Sequence, residues 1–180
     1  HDFPIAFNYH SYSNLLIYPL GYEYDNPAPQ DDLDIMIEYG EDMVQFNGYA
    51  LGSGPDLLYP VNGEACDWMY GELGIFAYTP EIGNYNDGFW PQTSRIVPLA
   101  EENLYPNQFL GLVTGSKYVV SANLSSDSFV ENELYPLNIS IFNQGLGDSN
   151  GSVYINIESS DNVVFELENI NLNNLGSRET

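Results

Sequence analysis

Two titratable side chains, His10 and Glu81, lie beside apolar runs of the sequence. An apolar run over residues 4–7 leads to His10, and a strand-like run over residues 15–18 follows it. This pattern predicts an imidazole at the mouth of a sheet, where a metal ligand or a proton carrier would sit. The alternative, which the pattern alone favours, is a structural histidine whose hydrogen bonds are satisfied within the fold.

Glu81 follows a predicted buried strand over residues 74–79. A carboxylate just past such a strand has the setting of a general base with a raised pKa. An ordinary solvated glutamate at a strand end is the alternative, and spacing alone favours it.

Composition excludes several classes of partner. The chain has 26 acidic residues against three Lys and Arg, a net charge of -23, and no Lys or Arg precedes Arg95. Such a surface repels nucleic acid and anionic membranes, and it favours a soluble protein of a salty or extracellular setting over a dedicated calcium site. No apolar run approaches the roughly 20 residues that span a bilayer. The single cysteine, Cys66, excludes an internal disulfide framework.

The first part of the chain alternates strands with helices. We predict an amphipathic helix over residues 31–46 and a short helical turn over 67–71. A further helix is predicted from about residue 93, breaking near residues 105–106 and resuming to 113. Residues 48–63 are predicted to form a long irregular connection, in which Tyr59 is a candidate contact residue. The fold class is therefore α/β.

A different pattern begins near residue 116. Runs of period two occupy residues 117–124, 134–145, 151–160 and 162–170, which predicts four strands of a partial immunoglobulin-like sandwich. We therefore predict two domains, residues 1–115 and 116–180. Because the chain opens almost directly on a strand and its second domain is incomplete, we expect it to be a fragment.

Three segments together resemble a known family: HSYSNLLIYPLGY, LLYPVNGEACDWMYGELGI and YTPEIGNYNDGFWPQTSRIVPLAEEN. In order and spacing they resemble the C-terminal third of the carboxypeptidase A-like zinc metallocarboxypeptidases, over about residues 1–113. A tyrosine precedes Asp67-Trp68, and Glu81 follows that tryptophan by 13 residues. The resemblance implies the C-terminal portion of an α/β/α domain with a mixed sheet.

The resemblance also implies roles for particular residues. His10 matches the third zinc ligand, and Glu81 matches the catalytic glutamate that takes a proton from the attacking water. Tyr59 matches a mobile tyrosine that closes over the substrate's terminal carboxylate. Ser11 and Tyr12 match positions that line the substrate groove.

Cys66 matches a position at the base of the family's specificity pocket. A neutral thiol there implies an uncharged C-terminal residue in the substrate, although Glu64 places a charge close by. A small buried cysteine that only packs is an equally acceptable interpretation.

The sequence departs from the family in the zinc ligands and the arginines. It contains no His-x-x-Glu pair, and Arg95 matches a structural helix start rather than a substrate-binding position. We therefore expect a zinc enzyme as the parent protein and an inactive isolated chain. The expected partners are peptide or protein C-termini and the missing N-terminal part of the same protein.

The residues beyond 116 resemble beta modules appended to secreted bacterial peptidases, which implies a secreted or cell-surface bacterial location. Two other interpretations stay open. One is a non-catalytic surface or adhesion protein that keeps a degenerate peptidase scaffold. The other is a split enzyme whose complementary chain supplies the remaining ligands.

Overall fold

The computed structural model describes residues 3–180. The chain divides into two compact units, His1–Gly111 and Leu112–Thr180. The predicted domain boundary after residue 115 lies slightly further along the chain and stays a prediction. Among residues 3–180, no helix is both long enough and apolar enough to cross a bilayer.

A four-stranded mixed sheet forms the centre of the first unit. Its strands are β1 (Ile5–Phe7), β2 (Leu15–Tyr18), β3 (Ala50–Ser53) and β4 (Phe76–Glu81), in the spatial order β1-β4-β2-β3. β1 is parallel to β4 and β3 is parallel to β2, whereas β2 and β4 are antiparallel. The predicted mixed α/β sheet is therefore confirmed.

The two central strands explain why the sheet is buried. All four residues of β2 are buried, as are four consecutive residues of β4, so both faces of these strands are covered. Continuous apolar runs are typical of such strands, whereas half-exposed strands alternate. The charged side chains lie outside these buried stretches, at the end of β4 and in the segment that follows β1.

Helices lie in the connections between the strands of this sheet and after its last strand. They are α1 (Gln30–Val44), α2 (Gly54–Leu57), α3 (Ala65–Leu73), α4 (Ile96–Glu102) and α5 (Leu104–Val113), with a 3-10 turn at Thr93–Arg95. Helix α1 confirms the amphipathic prediction, since Met36, Tyr39 and Met43 are fully buried along one face. Asp31 and Asp32 lie in its first turn, where the helix dipole favours acids.

Two local predictions were wrong. Residues 48–63 are not an irregular connection, because they contain β3 and α2. Backbone pairing with β2 gives the glycine-containing segment Ala50–Ser53 a strand conformation that its own propensity does not predict. The break between the last helices falls at Asn103 rather than near Pro106, since Pro106 lies in the first turn of α5, where no amide hydrogen bond is lost.

Tyr78 joins the sheet to α1. Its side chain is completely buried on β4, and its hydroxyl donates a hydrogen bond to the Met36 carbonyl at 2.9 Å. Its ring meets Phe7 of β1 edge to face, with centroids 6.3 Å apart. The strand that ends at Glu81 is thereby fixed against both a helix and a neighbouring strand.

The second unit contains two antiparallel strand pairs. β5 (Tyr118–Leu124) pairs with β6 (Leu137–Asn143), and β7 (Val153–Asn156) pairs with β8 (Asn169–Leu172). The fourth predicted strand was placed too early, because residues 162–168 belong to no strand and Val164 is 88% exposed. The two pairs are separate sheets, so the immunoglobulin-like sandwich stays a prediction.

A single buried amide organises much of this second unit. Asn143 is completely buried, and its side chain accepts two backbone N–H bonds and donates to three backbone carbonyls. The donors belong to Lys117 and Gly145, and the acceptors to Gly147, Leu175 and Gly176. This one side chain therefore ties the start of β5 and the C-terminal segment to the end of β6.

Two helical glycines are expected to respond oppositely to alanine. At Gly40 of α1, an added Cβ would lie 2.3 Å from a methyl carbon of Leu51, whereas at Gly71 of α3 it would meet nothing within 4 Å. Gly71→Ala should stabilise the first unit by about 0.5–1 kcal/mol through helix propensity. Gly40→Ala should destabilise it by about 1–3 kcal/mol through overpacking.

The measurement is chemical denaturation followed by circular dichroism at the helical minimum, because α1–α4 all lie in the first unit. Gly71→Ala is the matched control for Gly40→Ala. Stabilisation by both substitutions would contradict the packing of α1 against β3.

Candidate active site

Sheet register brings His10 and Glu81 together. The two residues form a parallel bridge in which the His10 N–H donates to the Pro80 carbonyl at 2.9 Å. The Ile82 N–H donates to the His10 carbonyl at 3.0 Å. Across this bridge, His10 Nδ1 lies 3.8 Å from Glu81 Oε1. The backbone hydrogen bonds therefore set the separation of an imidazole and a carboxylate that are distant in sequence.

Asn8 orients the imidazole of His10, although no sequence motif identified Asn8 as a site residue. Its side-chain amide lies 3.0 Å from His10 Nε2, and its backbone N–H donates to the Tyr78 carbonyl at 2.9 Å. Residues two apart in an extended segment project to the same side, which is the signal that pairs Asn8 with His10. This contact holds the ring with Nδ1 facing Glu81.

Glu81 has the environment of a general base. Its side chain is only 13% exposed, whereas that of His10 is 50% exposed. Burial raises the pKa of Glu81, the nearby His10 opposes this shift, and the Glu64 carboxylate adds to it. A raised carboxyl pKa moves proton exchange toward neutral pH, as general acid–base catalysis requires.

Both residues open onto one cavity of about 430 Å³. Its wall includes the segment between β3 and α3, where Tyr59 is 65% exposed. The lining consists of Asn8, His10, Ile17, Gly54, Leu58, Tyr59, Val61, Gly63, Glu64, Ala65 and Glu81. The structure thus groups three of the predicted site residues, His10, Tyr59 and Glu81, around one space.

Ser11 and Tyr12 do not line this cavity. The Tyr12 ring packs against Phe89 and Tyr85, with centroids 5.0 Å and 6.4 Å away. Tyr85 and Phe89 are themselves 85% and 76% exposed. The predicted contribution of Ser11 and Tyr12 to a substrate groove stays a prediction.

Cys66 does not line this cavity, although its neighbours Glu64 and Ala65 do. Its side chain is completely buried, and the thiol donates to Asp67 Oδ1 at 3.7 Å. Burial raises the pKa of the Cys66 thiol well above its usual range, and the Glu64 charge raises it further. The thiol is therefore protonated and unreactive at neutral pH, and its predicted place at the base of a specificity pocket stays a prediction.

Arg95 has a structural role, as the sequence predicts. Its guanidinium donates two hydrogen bonds to Asp87, at 2.7 and 3.1 Å, and one to Glu102 at 3.1 Å. The Arg95 guanidinium holds the pKa of Asp87 below its usual value. This cation is neutralised by two carboxylates and is not directed at the cavity.

The donor groups present do not complete a zinc site around His10. Among residues 3–180, the group of side chains close enough to share an ion is Glu64, Cys66 and Asp67, and it does not include His10. Catalytic zinc takes three protein ligands and keeps a further position open. The described residues therefore supply one imidazole toward such a site.

Comparison with known proteins agrees with this geometry. Residues 1–106 match the family model described as zinc carboxypeptidase (Peptidase M14). Since this match covers more than half of the chain, the protein belongs to the zinc carboxypeptidase family.

Two similar relatives are longer than this chain. It is 36% identical over 105 residues to carboxypeptidase B of Astacus astacus, covering 54% of this chain and 34% of that protein. It is 32% identical over 124 residues to carboxypeptidase A4 of Mus musculus, covering 66% and 28%. The chain thus spans about a third of the curated relatives that it matches.

A solved structure shares the fold. Bovine thrombin-activatable fibrinolysis inhibitor, in complex with tick carboxypeptidase inhibitor, is similar with a TM-score of 0.53 and 26% identity. The similarity covers 59% of this chain and 38% of that chain. The predicted carboxypeptidase fold is confirmed for this part of the protein.

The raised pKa of Glu81 predicts a pH-dependent change in stability. A carboxyl group with a raised pKa binds its proton more tightly in the folded state than in the unfolded state. The protein therefore loses stability as the pH rises from the ordinary carboxyl pKa of 4.5 through the raised pKa of Glu81. Glu81→Gln should therefore be more stable than the wild type at neutral pH. This difference in stability should disappear when the pH is below the ordinary pKa of the carboxyl group.

Urea denaturation at about pH 4 and about pH 7 measures this difference. Glu72→Gln, at an exposed position of α3, is the control and should show no such change. A Glu81→Gln variant that is less stable than the wild type at neutral pH would refute the assignment.

Proposed function

We propose that this chain is the C-terminal part of the catalytic domain of a zinc metallocarboxypeptidase, which releases C-terminal residues from peptides. The observation that carries the proposal is the His10–Glu81 bridge, which places a carboxylate of only 13% exposure and an imidazole on one cavity. Family membership supports the reaction class. Because the chain spans only about a third of its relatives, the activity belongs to the longer protein.

Glu81 performs the proton transfers in this proposal. Its carboxylate accepts a proton from the water that attacks the scissile carbonyl, and then delivers a proton to the leaving nitrogen. Attack by the water oxygen forms a new C–O bond. The scissile C–N bond then breaks, and the new C–O bond remains in the carboxylate of the product. When bound, zinc supplies Lewis acidity toward the water and the carbonyl, and His10 would be one of its ligands.

Other residues position the substrate. Tyr59 stands exposed at the cavity and would close over the substrate's terminal carboxylate, and Ser11 and Tyr12 would line the groove that leads to it. Cys66 by itself implies an uncharged C-terminal residue. The isolated chain is expected to be inactive, because it lacks the His-x-x-Glu ligands and substrate-binding arginines.

The proposed location is secreted or cell-surface. The relatives named above come from animals, so the bacterial origin implied by the second unit has no support from them. The substrates proposed are peptide or protein C-termini, and the N-terminal part of the same protein is the partner that would complete the site.

Activity of the longer protein tests the role of Glu81. The wild type should cleave a peptide with a free C-terminal carboxylate, and Glu81→Gln should lower kcat by about 100- to 10,000-fold, because an amide cannot accept the proton. The same peptide with an amidated C-terminus should resist cleavage by both proteins.

Glu72→Gln is the matched control and should keep full activity. Equal activity of Glu81→Gln and the wild type would remove Glu81 from the mechanism. Absence of hydrolysis in the wild type would favour the non-catalytic scaffold.

Zinc binding by the 180-residue chain tests the incompleteness of the site. Calorimetric titration should detect no binding tighter than roughly micromolar, since one imidazole cannot hold the ion. His10→Ala is the control, because any binding at Glu64, Cys66 and Asp67 would survive it. Tight stoichiometric binding that His10→Ala abolishes would contradict the fragment proposal.

A further inference from the structure

Strand β5 is an exposed edge strand of the second unit. It pairs with β6 on one side, and among residues 3–180 no strand pairs with its other side. All seven of its residues are exposed, and the exposed fraction reaches 60% at Val120 and 48% at Leu124. An edge strand presents unpaired backbone N–H and C=O groups, which are a template for pairing with a further strand.

The hydrogen bonds of Asn143 show which backbone groups of β5 face outward. Asn143 lies opposite Tyr118 in the β5–β6 register, but its backbone N–H and C=O bond to Glu179 and Arg178 instead of to β5. Because hydrogen-bonded and non-hydrogen-bonded positions alternate along an antiparallel pair, every second residue of β5 directs its backbone groups away from β6. The four residues that face the outer edge in this way are Tyr118, Val120, Ala122 and Leu124.

The outward-facing residues also share one face of the β5–β6 ribbon. Residues two apart in a strand project to the same side. On this face Val120 lies opposite Ile141 and Ala122 lies opposite Ile139, so the face is apolar. An isolated two-stranded ribbon is marginally stable in water, and three or more strands with an apolar face are needed for independent stability. Additional strands at the β5 edge would therefore stabilise the ribbon.

Charge is excluded from this edge, although the chain as a whole carries a net charge of -23. β5 contains no charged residue and no proline, and all the acidic residues of positions 116–180 lie outside the strands β5–β8. Proteins protect exposed edges with charges, with proline or by keeping the strand short. β7 and β8 have four residues each, whereas β5 has seven and none of these protections.

We propose that β5 is the contact strand of a homodimer, in which it pairs antiparallel with β5 of a second copy of this chain across a twofold axis at Ser121. In this register Val120 lies opposite Ala122 of the second copy, and Tyr118 lies opposite Leu124, so all the outward-facing N–H and C=O groups of the strand are paired. A shift by one residue would set outward-facing residues opposite inward-facing ones. The homodimer does not depend on the proposed carboxypeptidase function.

The occupant that fits this edge is a second copy because the strand is complementary to itself. The twofold axis sets apolar positions opposite apolar positions and Ser121 opposite Ser121. Two chains of high negative charge repel each other least where the contact surface is uncharged, as it is along β5. A self-complementary contact of this kind closes at the dimer, the commonest oligomeric state.

Sedimentation velocity of the 180-residue chain tests the homodimer. The wild type should form dimers at about 10–100 µM, since the contact is small, and added salt should strengthen the dimer because it screens the repulsion between the copies. Val120→Pro should abolish the dimer, because it removes an outward-facing N–H and leaves the bonds to β6 in place. Val164→Pro, at a position that is 88% exposed and outside the strands, is the matched control and should dimerise like the wild type.

A wild type that stays monomeric at these concentrations, association that continues beyond the dimer, or a Val120→Pro variant that still dimerises would overturn the proposal.

Cysteine cross-linking tests the position of the twofold axis in chains that keep β5 intact. Two copies of Ser121 would have Cα atoms about 4.5 Å apart, within the range that a disulfide bridges. Ser140 lies opposite Ser121 on β6 and is also exposed, but its two copies would be about 14 Å apart. Under mild oxidation Ser121→Cys should form a disulfide-linked dimer, whereas Ser140→Cys and the wild type, with its buried Cys66, should not. Equal cross-linking of the two cysteine variants, or none in either, would contradict the axis at Ser121.

Discussion

The pairing of β4 with its neighbours is the constraint on which the rest of the first unit depends. This strand is parallel to β1 on one side and antiparallel to β2 on the other, and both partners come from the first 18 residues. The parallel hydrogen bonding continues past β1 to His10, so the position of the imidazole follows from the register of the sheet. A one-residue slip of β4 would turn Glu81 to the opposite face.

Positive charge is scarce in the first unit, and this scarcity determines its electrostatics. Arg95 is its only Lys or Arg, and it is engaged by Asp87 and Glu102. Asp67 accepts two hydrogen bonds from the Gly21 N–H, but burial still raises its pKa, and burial likewise raises the pKa of Glu81 on the cavity.

Much of this arrangement could be predicted from the sequence. Strand β2 is a continuous apolar run and helix α1 has a clear amphipathic period. The association of His10, Tyr59 and Glu81 was predicted from motif spacing rather than from local propensity. β3 could not be predicted, because a segment containing Gly52 becomes a strand only through pairing with β2. The place of Glu64 depends on the approach of its carboxylate to Gly21, 43 residues away, and no local pattern encodes such a contact.

The amide of Asn143 has a mechanical consequence for the second unit. Besides its side-chain bonds, its N–H donates to the Glu179 carbonyl at 2.8 Å and its carbonyl accepts from the Arg178 N–H at 2.9 Å. The last residues are thus clamped to the end of β6, not only to β8, which precedes them in the chain. Force applied at the C-terminus would act first on these hydrogen bonds to the end of β6. The short β7–β8 pair would therefore be protected from that force.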